Sequence, residues 1–597
     1  MKLFIVLLTG AFMLATGTSD VFAKKKEKVQ TEAKSDTVRT ASKKRNTQYP
    51  RLFKNKRVVT KKGLITIHKI DDKLYFEFPK SLLGREFLMG SSISATSDNT
   101  SGLVGQTMTT PLHIRFAIQE DQVYMQNVTP VSRMDVYSNQ SDISKAVAKS
   151  NITPDMESFK IAAYNMDSTA VVFEVTKFFL ADNKRLPLFD QNSSSLEDEK
   201  YGQLELKAVL KKNLSSIRNF YVFDDNLEIN LDMSFYQSLL ASKKEVRGGN
   251  VRVKAVYSML LLPEETMVWR LGDPRLGYTF TKKQKISTEK DGTAFSYLQH
   301  KWNLLPADEE AYRRGDLVAP RKPVVFYIDS DFPEAWKKAI KEGVNWWNEA
   351  FKMAGFKDAV QTADFPANDT TFYAGNLKYS CIRYVPVNLS KTQSKVWVDP
   401  RSGEIINGTI FVGHDIAKTI ASQRFVQTAQ VDERMRGIQL SEEVLLEGIR
   451  LYVAREVGHC LGLADNASAS AAFSVESLRS PEFTRQNGIA SSVMDELPYN
   501  YIAQPQDGKA DFIQNKLGAY DLFAIQMGYM LVPDAKTPEE IREKIMRWVS
   551  MKSGDPVYRY GKAQYQGAEY DPSALGGDLG NNAVKAVSYT HLTLPTN

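Results

Sequence analysis

Near residue 456 an acid, an imidazole and a second acid fall at spacings that permit joint chemistry: Glu456, His459 and Asp465, with Gly462 between the last two. Glu456 and His459 are three positions apart and so share one face of a helix. A carboxylate there can polarise a water molecule, and an imidazole with an oxygen ligand can contribute to holding a divalent cation. Arg455, immediately before Glu456, works against that chemistry. Its guanidinium stays protonated, offers no lone pair and adds positive charge where a metal would sit. It can instead face Glu456 or Asp465 as an ion pair.

These residues need a helix to present them. Ser441 can cap one whose first turn carries Glu442 and Glu443, both favourable at the positive end of the helix dipole. The segment LLEGIRLYVAREVGHCLG then runs to Gly462, which can end the helix and turn the chain back. Leu445, Ile449, Tyr452, Glu456 and His459 recur at alternating spacings of four and three, so an apolar stripe is expected to lead into the acid and the imidazole.

Upstream, PVVFYID (Pro323 to Asp329) reads as a buried strand, followed by a helix from about Pro333 to Ala354 that Gly355 can terminate. Trp336, Ile340, Val344, Trp347 and Phe351 form its core stripe. A strand around Tyr379 to Val387 and a hairpin follow, Val396 to Val398 turning through Pro400-Arg401-Ser402-Gly403 into Glu404 to Val412. From 51 to 275 the pattern is mainly of strands: Leu64 to Ile67, Leu74 to Phe78, His113 to Ile118, Val123 to Met125, Ala170 to Val175, Leu227 to Met233 and Val251 to Leu262. No clustered acid, base or nucleophile accompanies them, which suits one or two antiparallel modules with a packing or docking role.

At 597 residues the chain has room for several domains, and its composition is ordinary for a globular protein. Only six histidines are present (His68, His113, His300, His414, His459, His591), so a histidine-rich site must come from a short roster. The net charge of +7 lies almost wholly in residues 24–50, where nine Lys or Arg face three acids, so the rest of the chain predicts no nucleic-acid partner. Residues 1–23 read as a secretory signal, with Lys2, an apolar run from Leu3 to Leu14 and a small-residue end at Ala23. The run is too short to span a bilayer and no later segment approaches about 18 uninterrupted apolar residues, so no transmembrane segment is expected and the mature chain should be periplasmic, cell-surface or extracellular. Cys381 and Cys460 permit at most one disulfide. Residues 587–597 (VSYTHLTLPTN) resemble the translation of a sequencing adapter, which would leave the natural C-terminus missing and make His591 foreign.

REVGHCLGLAD (Arg455 to Asp465) resembles the extended zinc signature H-E-x-x-H-x-x-G-x-x-H/D, with Arg455 in the first ligand position. About thirty residues on, SSVMD (Ser491 to Asp495) is similar to the Met-turn of metzincins, with Glu496 where some carry tyrosine two residues after the methionine. With KPVVFYID, Cys381-Ile382-Arg383-Tyr384, DPRSGEI (Asp399 to Ile405) and Tyr520-Asp521, residues 60–586 resemble exported zinc metalloproteases that join β-rich N-terminal domains to an EcxA-type zinc-binding domain.

That resemblance implies an α+β chain: signal peptide 1–23, basic linker 24–50, β-rich domains 51–320, and a metzincin-like domain 321–586 built on a mixed twisted sheet with an active-site helix. It implies zinc on His459 and Asp465, Glu456 as general base, Gly462 ending the helix and Met494 beneath the metal. The strand ending near Val412 would be the rim along which an extended peptide or protein substrate lies. Two functions follow: a pseudoprotease that binds peptides with Arg455 in place of a ligand, or an active metalloendopeptidase drawing a third ligand from Glu496 or His414.

Overall fold

The computed structural model describes residues 48–589 apart from 99–101, 103, 106, 129–133, 137–144, 147–148, 190–195, 199–201, 287–293, 370–371, 388–391, 438, 497–498 and 563–570. The signal peptide, nearly all of the basic linker and His591 therefore lie outside the described residues. The end of the linker is ordered: Tyr49 and Pro50 open a short helix, Tyr49–Phe53, and the Tyr49 hydroxyl donates to Glu77 at 2.7 Å.

The first half is built on an antiparallel sheet of thirteen strands among the described residues, running from Val58–Lys62 at one end to Leu196–Asp198 at the other, beside a separate three-stranded sheet of Met134–Val136, Phe280–Ile286 and Ala294–Gln299. Its longest pair, Asn226–Ala241 and Lys244–Leu261, joins through Ser242 and Lys243, both at positive φ, as a tight right-twisting hairpin requires. Val251, Val253, Ala255, Tyr257 and Met259 alternate inward with period two and pack with Phe78, Phe87, Phe116 and Phe173 in a single apolar core. Most expected strands are present, but the first runs over Thr66–Ile70 rather than Leu64 to Ile67. Six strands of the sheet have no counterpart in the sequence reading: Val58–Lys62, Glu86–Thr96, Asp155–Tyr164, Leu196–Asp198, Gly202–Leu210 and Ser216–Val222.

The second half is a mixed sheet under helices. Strand β1 (Val324–Ile328) is followed by α1 (Glu334–Asn345) and α2 (Trp347–Met353), which divide at Trp346 what the sequence reads as one helix. Then come β2 (Val360–Asp364), β3 (Ser380–Val385), β4 (Thr392–Val398) and β5 (Ile405–Gly413), helix α3 (Ile416–Thr428), helix α4 (Glu442–Cys460) and helix α5 (Ala519–Tyr529). The strand order is β2-β1-β3-β5-β4, parallel except for the antiparallel edge strand β4. The edge strand is thus β4, not the strand ending near Val412, which lies inside the sheet. Its sequence explains why: the DPRSGEI turn folds Thr392–Val398 back along β5, outboard of it.

Leu276, Tyr278, Leu304, Ala311 and Val318 pack in the core of this second half, so the packing changes well before the boundary drawn at residue 320. The first half also braces the sheet. Trp397 of β4 packs with Leu88, Leu260 and Leu262, Gln393 donates to Val104 O at 2.7 Å, and Asn226 donates to Asn376 at 2.8 Å. Cys381 and Cys460 are both buried and free, so the permitted disulfide is not formed.

Candidate functional site

Helix α4 carries the site. Ser441 caps it by accepting from Val444 N, and Glu442 and Glu443 occupy the first turn as expected. Its buried residues are Val444, Gly448, Ile449, Val453, Ala454, Glu456, Val457, Gly458 and Cys460, whereas Leu445 and Tyr452 are only partly buried. The expected stripe is therefore corrected. The helix is enclosed on two sides, with Gly343 of α1 against the Arg450 carbonyl and Gly408 of β5 against Cys460. Tyr452 and Arg455 are left to face a cavity.

At the helix end Gly462 has φ +95°. Leu463 N returns to Gly458 O at 3.0 Å and Ala464 N donates to Gly277 O at 2.7 Å, which brings Asp465 back beside the helix. Arg455 Nη2 donates to Asp465 Oδ1 at 2.6 Å, and His459 Nε2 lies 3.2 Å from the same oxygen. His459 Nδ1 is 3.0 Å from Leu463 O. A carbonyl only accepts, so the Nδ1 proton is fixed and Nε2 is the atom aimed at Asp465. Burial would raise the Asp465 carboxyl, but the His459 hydrogen bond and the nearby Arg455 and His459 charges outweigh it and hold it below the usual carboxylate range. Of the two partners left open by the sequence, Arg455 takes Asp465.

Glu456 is 4% exposed, and its Oε1 accepts from Thr392 Oγ1 of β4 at 3.1 Å. Met494 is fully buried, and its Sδ lies against Gly458, between the turns that carry Arg455 and His459. Trp347 fixes the helix from the other side, its Nε1 donating to Ala454 O at 2.8 Å. The segment before Met494 is pinned by Asp521 of α5, whose carboxylate accepts from Val493 N at 2.9 Å and Gly518 N at 2.8 Å. Burial pushes the Asp521 carboxyl up to about 6 against those hydrogen bonds. Thr392, Trp347 and Asp521 were not foreseen as site residues. Trp347 looked like one member of a core stripe, and nothing in local spacing links Asp521 to Met494.

His414 follows β5 and is held by Tyr384, whose hydroxyl is 2.5 Å from Nδ1, and by stacking on Trp336. Glu496 is exposed on the cavity wall with Arg455. No three His, Cys, Asp or Glu side chains are grouped to hold a metal among the described residues, so neither His414 nor Glu496 completes a set with His459 and Asp465. His300, one of the six histidines, touches the site through its backbone, its carbonyl packing on Gly462. As the side chains stand, the donor set does not fit zinc. A catalytic zinc takes about three protein ligands. Here there are two, and a guanidinium occupies the oxygen a metal would use.

The cavity beside the ion pair measures about 440 Å³, with Thr392, Gln423, Tyr452, Arg455, Glu496 and Tyr499 among its walls. Asp495 also lines it, and burial pushes that carboxyl up to about 7, with Asp578 adding to the rise and the Ser470 hydrogen bonds opposing it. Since the folded value exceeds the ordinary 3.8, the folded chain keeps a proton that the unfolded chain releases, and stability from this group falls as pH rises from about 4 to about 7. Relative to Asp495→Asn, the natural chain is expected to lose on the order of 2–4 kcal/mol across that window, read from urea midpoints. Parallel midpoints for the two proteins would refute it.

Comparison with protein families places these features. Residues 437–594 match a family described as Met-zincin, a span that covers α4, Met494 and part of the cavity wall but not Thr392 or Gln423, and runs past Ala586. Residues 105–307 and 47–96 match two domains of unknown function, DUF5117 and DUF5118. No curated protein and no solved structure matches the chain. The C-terminal part is thus a metzincin-like domain, within an α+β chain whose N-terminal part is β-rich.

Proposed function

We propose that this chain is an exported pseudoprotease that holds extended peptides or unfolded protein segments in the cleft between β4 and α4 without cleaving them. The observation that carries the reading is the Arg455 guanidinium bound at 2.6 Å to Asp465 Oδ1, the oxygen that also faces His459. It places a fixed cation and a closed ion pair where hydrolysis in a metzincin needs a metal.

The binding surface is intact. No strand pairs with the outer edge of β4 among the described residues, so its free N–H and C=O groups can accept a further strand. Thr392 orients the Glu456 carboxylate against that edge, and the first domain backs it through Trp397. Met494 and Trp347 keep α4 in place beneath, so the cleft keeps its shape without a metal to tie it. The Met-zincin match favours a second reading, an active metalloendopeptidase with Glu456 as general base.

Fluorescein-labelled, unfolded casein separates the two. Purified chain is expected to retain the casein on a column, to leave it uncut on a gel, and to do both equally with and without chelator. Cleavage that chelator abolishes would overturn the proposal.

A further inference from the structure

The cavity beside the ion pair has a charge balance of its own. Arg455 is the one cation among its lining residues, and Asp465 already neutralises it. Asp495 and Glu496 are adjacent in the chain and line the same cavity. Neither is ion-paired among the described residues. Asp495 is only 2% exposed; Ser470 N donates to its Oδ2 at 2.9 Å, while Oδ1 is buried with no hydrogen-bond partner. A buried acceptor left unfilled is costly, so this oxygen favours any donor that reaches it. Tyr452 and Tyr499 add aromatic rings to the wall, surfaces that favour a cation and the methylenes that carry it.

We propose that this cavity receives the side chain of a lysine or arginine from a peptide lying along β4, its charge met by the exposed Glu496, an N–H of its head group donating to the unfilled Asp495 Oδ1, and its stem packed against Tyr452 and Tyr499. Thr392 makes the geometry continuous, since it begins β4 and also lines the cavity. The ligand class is thus a basic peptide segment, and the assignment rests on the peptide-binding reading above. Arg455 is ion-paired with Asp465 whereas Glu496 has no ion pair among the described residues, so the charge left open in this cavity is negative.

Fluorescence anisotropy on the full chain at low salt tests this with three short capped peptides identical except for arginine, glutamine or glutamate at the centre. The arginine peptide is expected to bind about tenfold more tightly than the glutamine peptide, with glutamate weakest. Glu496→Gln, at an exposed position, is expected to reduce the arginine-to-glutamine ratio to about threefold or less. Equal binding of the three, or a ratio unchanged in Glu496→Gln, would overturn the cation site while leaving peptide binding standing. If none of the three binds, peptide capture fails and this assignment falls with it.

Discussion

Replacing Arg455 with histidine is expected to turn a chain that holds zinc weakly into one that binds a single Zn²⁺ per molecule. The substitution removes the guanidinium from Asp465 Oδ1 and puts an imidazole four residues before His459, on the same helix face. With His459 and Asp465 it supplies the three ligands that a catalytic zinc takes. The surrounding frame is already built: Met494 packs beneath Gly458, Asp521 pins the segment before it, and Leu463 O holds the His459 ring. Zinc affinity should rise by about a thousandfold, ~4 kcal/mol, in a titration against a chromophoric chelator. An unchanged affinity would mean that Arg455 is not the residue that sets the site's metal preference.

Gly462→Ala is expected to destabilise the metzincin-like domain more than any change at the ion pair. At φ +95° a side chain is strained whatever the space around it, and a Cβ there would stand 2.2 Å from the His300 carbonyl oxygen. That obstacle is backbone and cannot rotate away. Strain and overpacking together should cost on the order of 3 kcal/mol or more, read as a drop in the urea midpoint. By comparison, Asp465 is 47% exposed and its pair with Arg455 is partly screened by solvent, so Arg455→Gln should change stability by only about 1 kcal/mol. A Gly462→Ala protein as stable as the parent would show that the chain reverses differently at the end of α4.

Local chemistry made much of this site readable. The Ser441 cap, the run to Gly462 and the positions of Glu456, His459 and Asp465 follow from spacing and from what each side chain can do, and the structure brings Arg455, His459 and Asp465 onto one oxygen. Long-range packing was not readable in that way. The stripe on α4 departs from the expectation because neighbours approach on several sides: Gly343 lies against Arg450 O, Gly408 against Cys460, Ile420 against Gly448, and Met494 and Trp347 against Gly458. The rim was placed on the wrong strand of the hairpin, since alternation gives strands but not their order in a sheet. Likewise, Thr392 reaches Glu456 across 64 residues and Asp521 reaches Val493 across 28, contacts with no trace in local periodicity. The long strands of the first domain were easier to read because one buried face imposes a period of two, as in Val251, Val253 and Ala255.

The most direct test of the pseudoprotease reading is the metal content of the purified chain after equilibration with excess zinc and removal of unbound ion. With Arg455 seated on Asp465, the expected result is far less than one Zn²⁺ per chain and no chelator-sensitive hydrolysis of unfolded casein. One tightly held Zn²⁺ per chain, together with cleavage that a chelator stops, would contradict it.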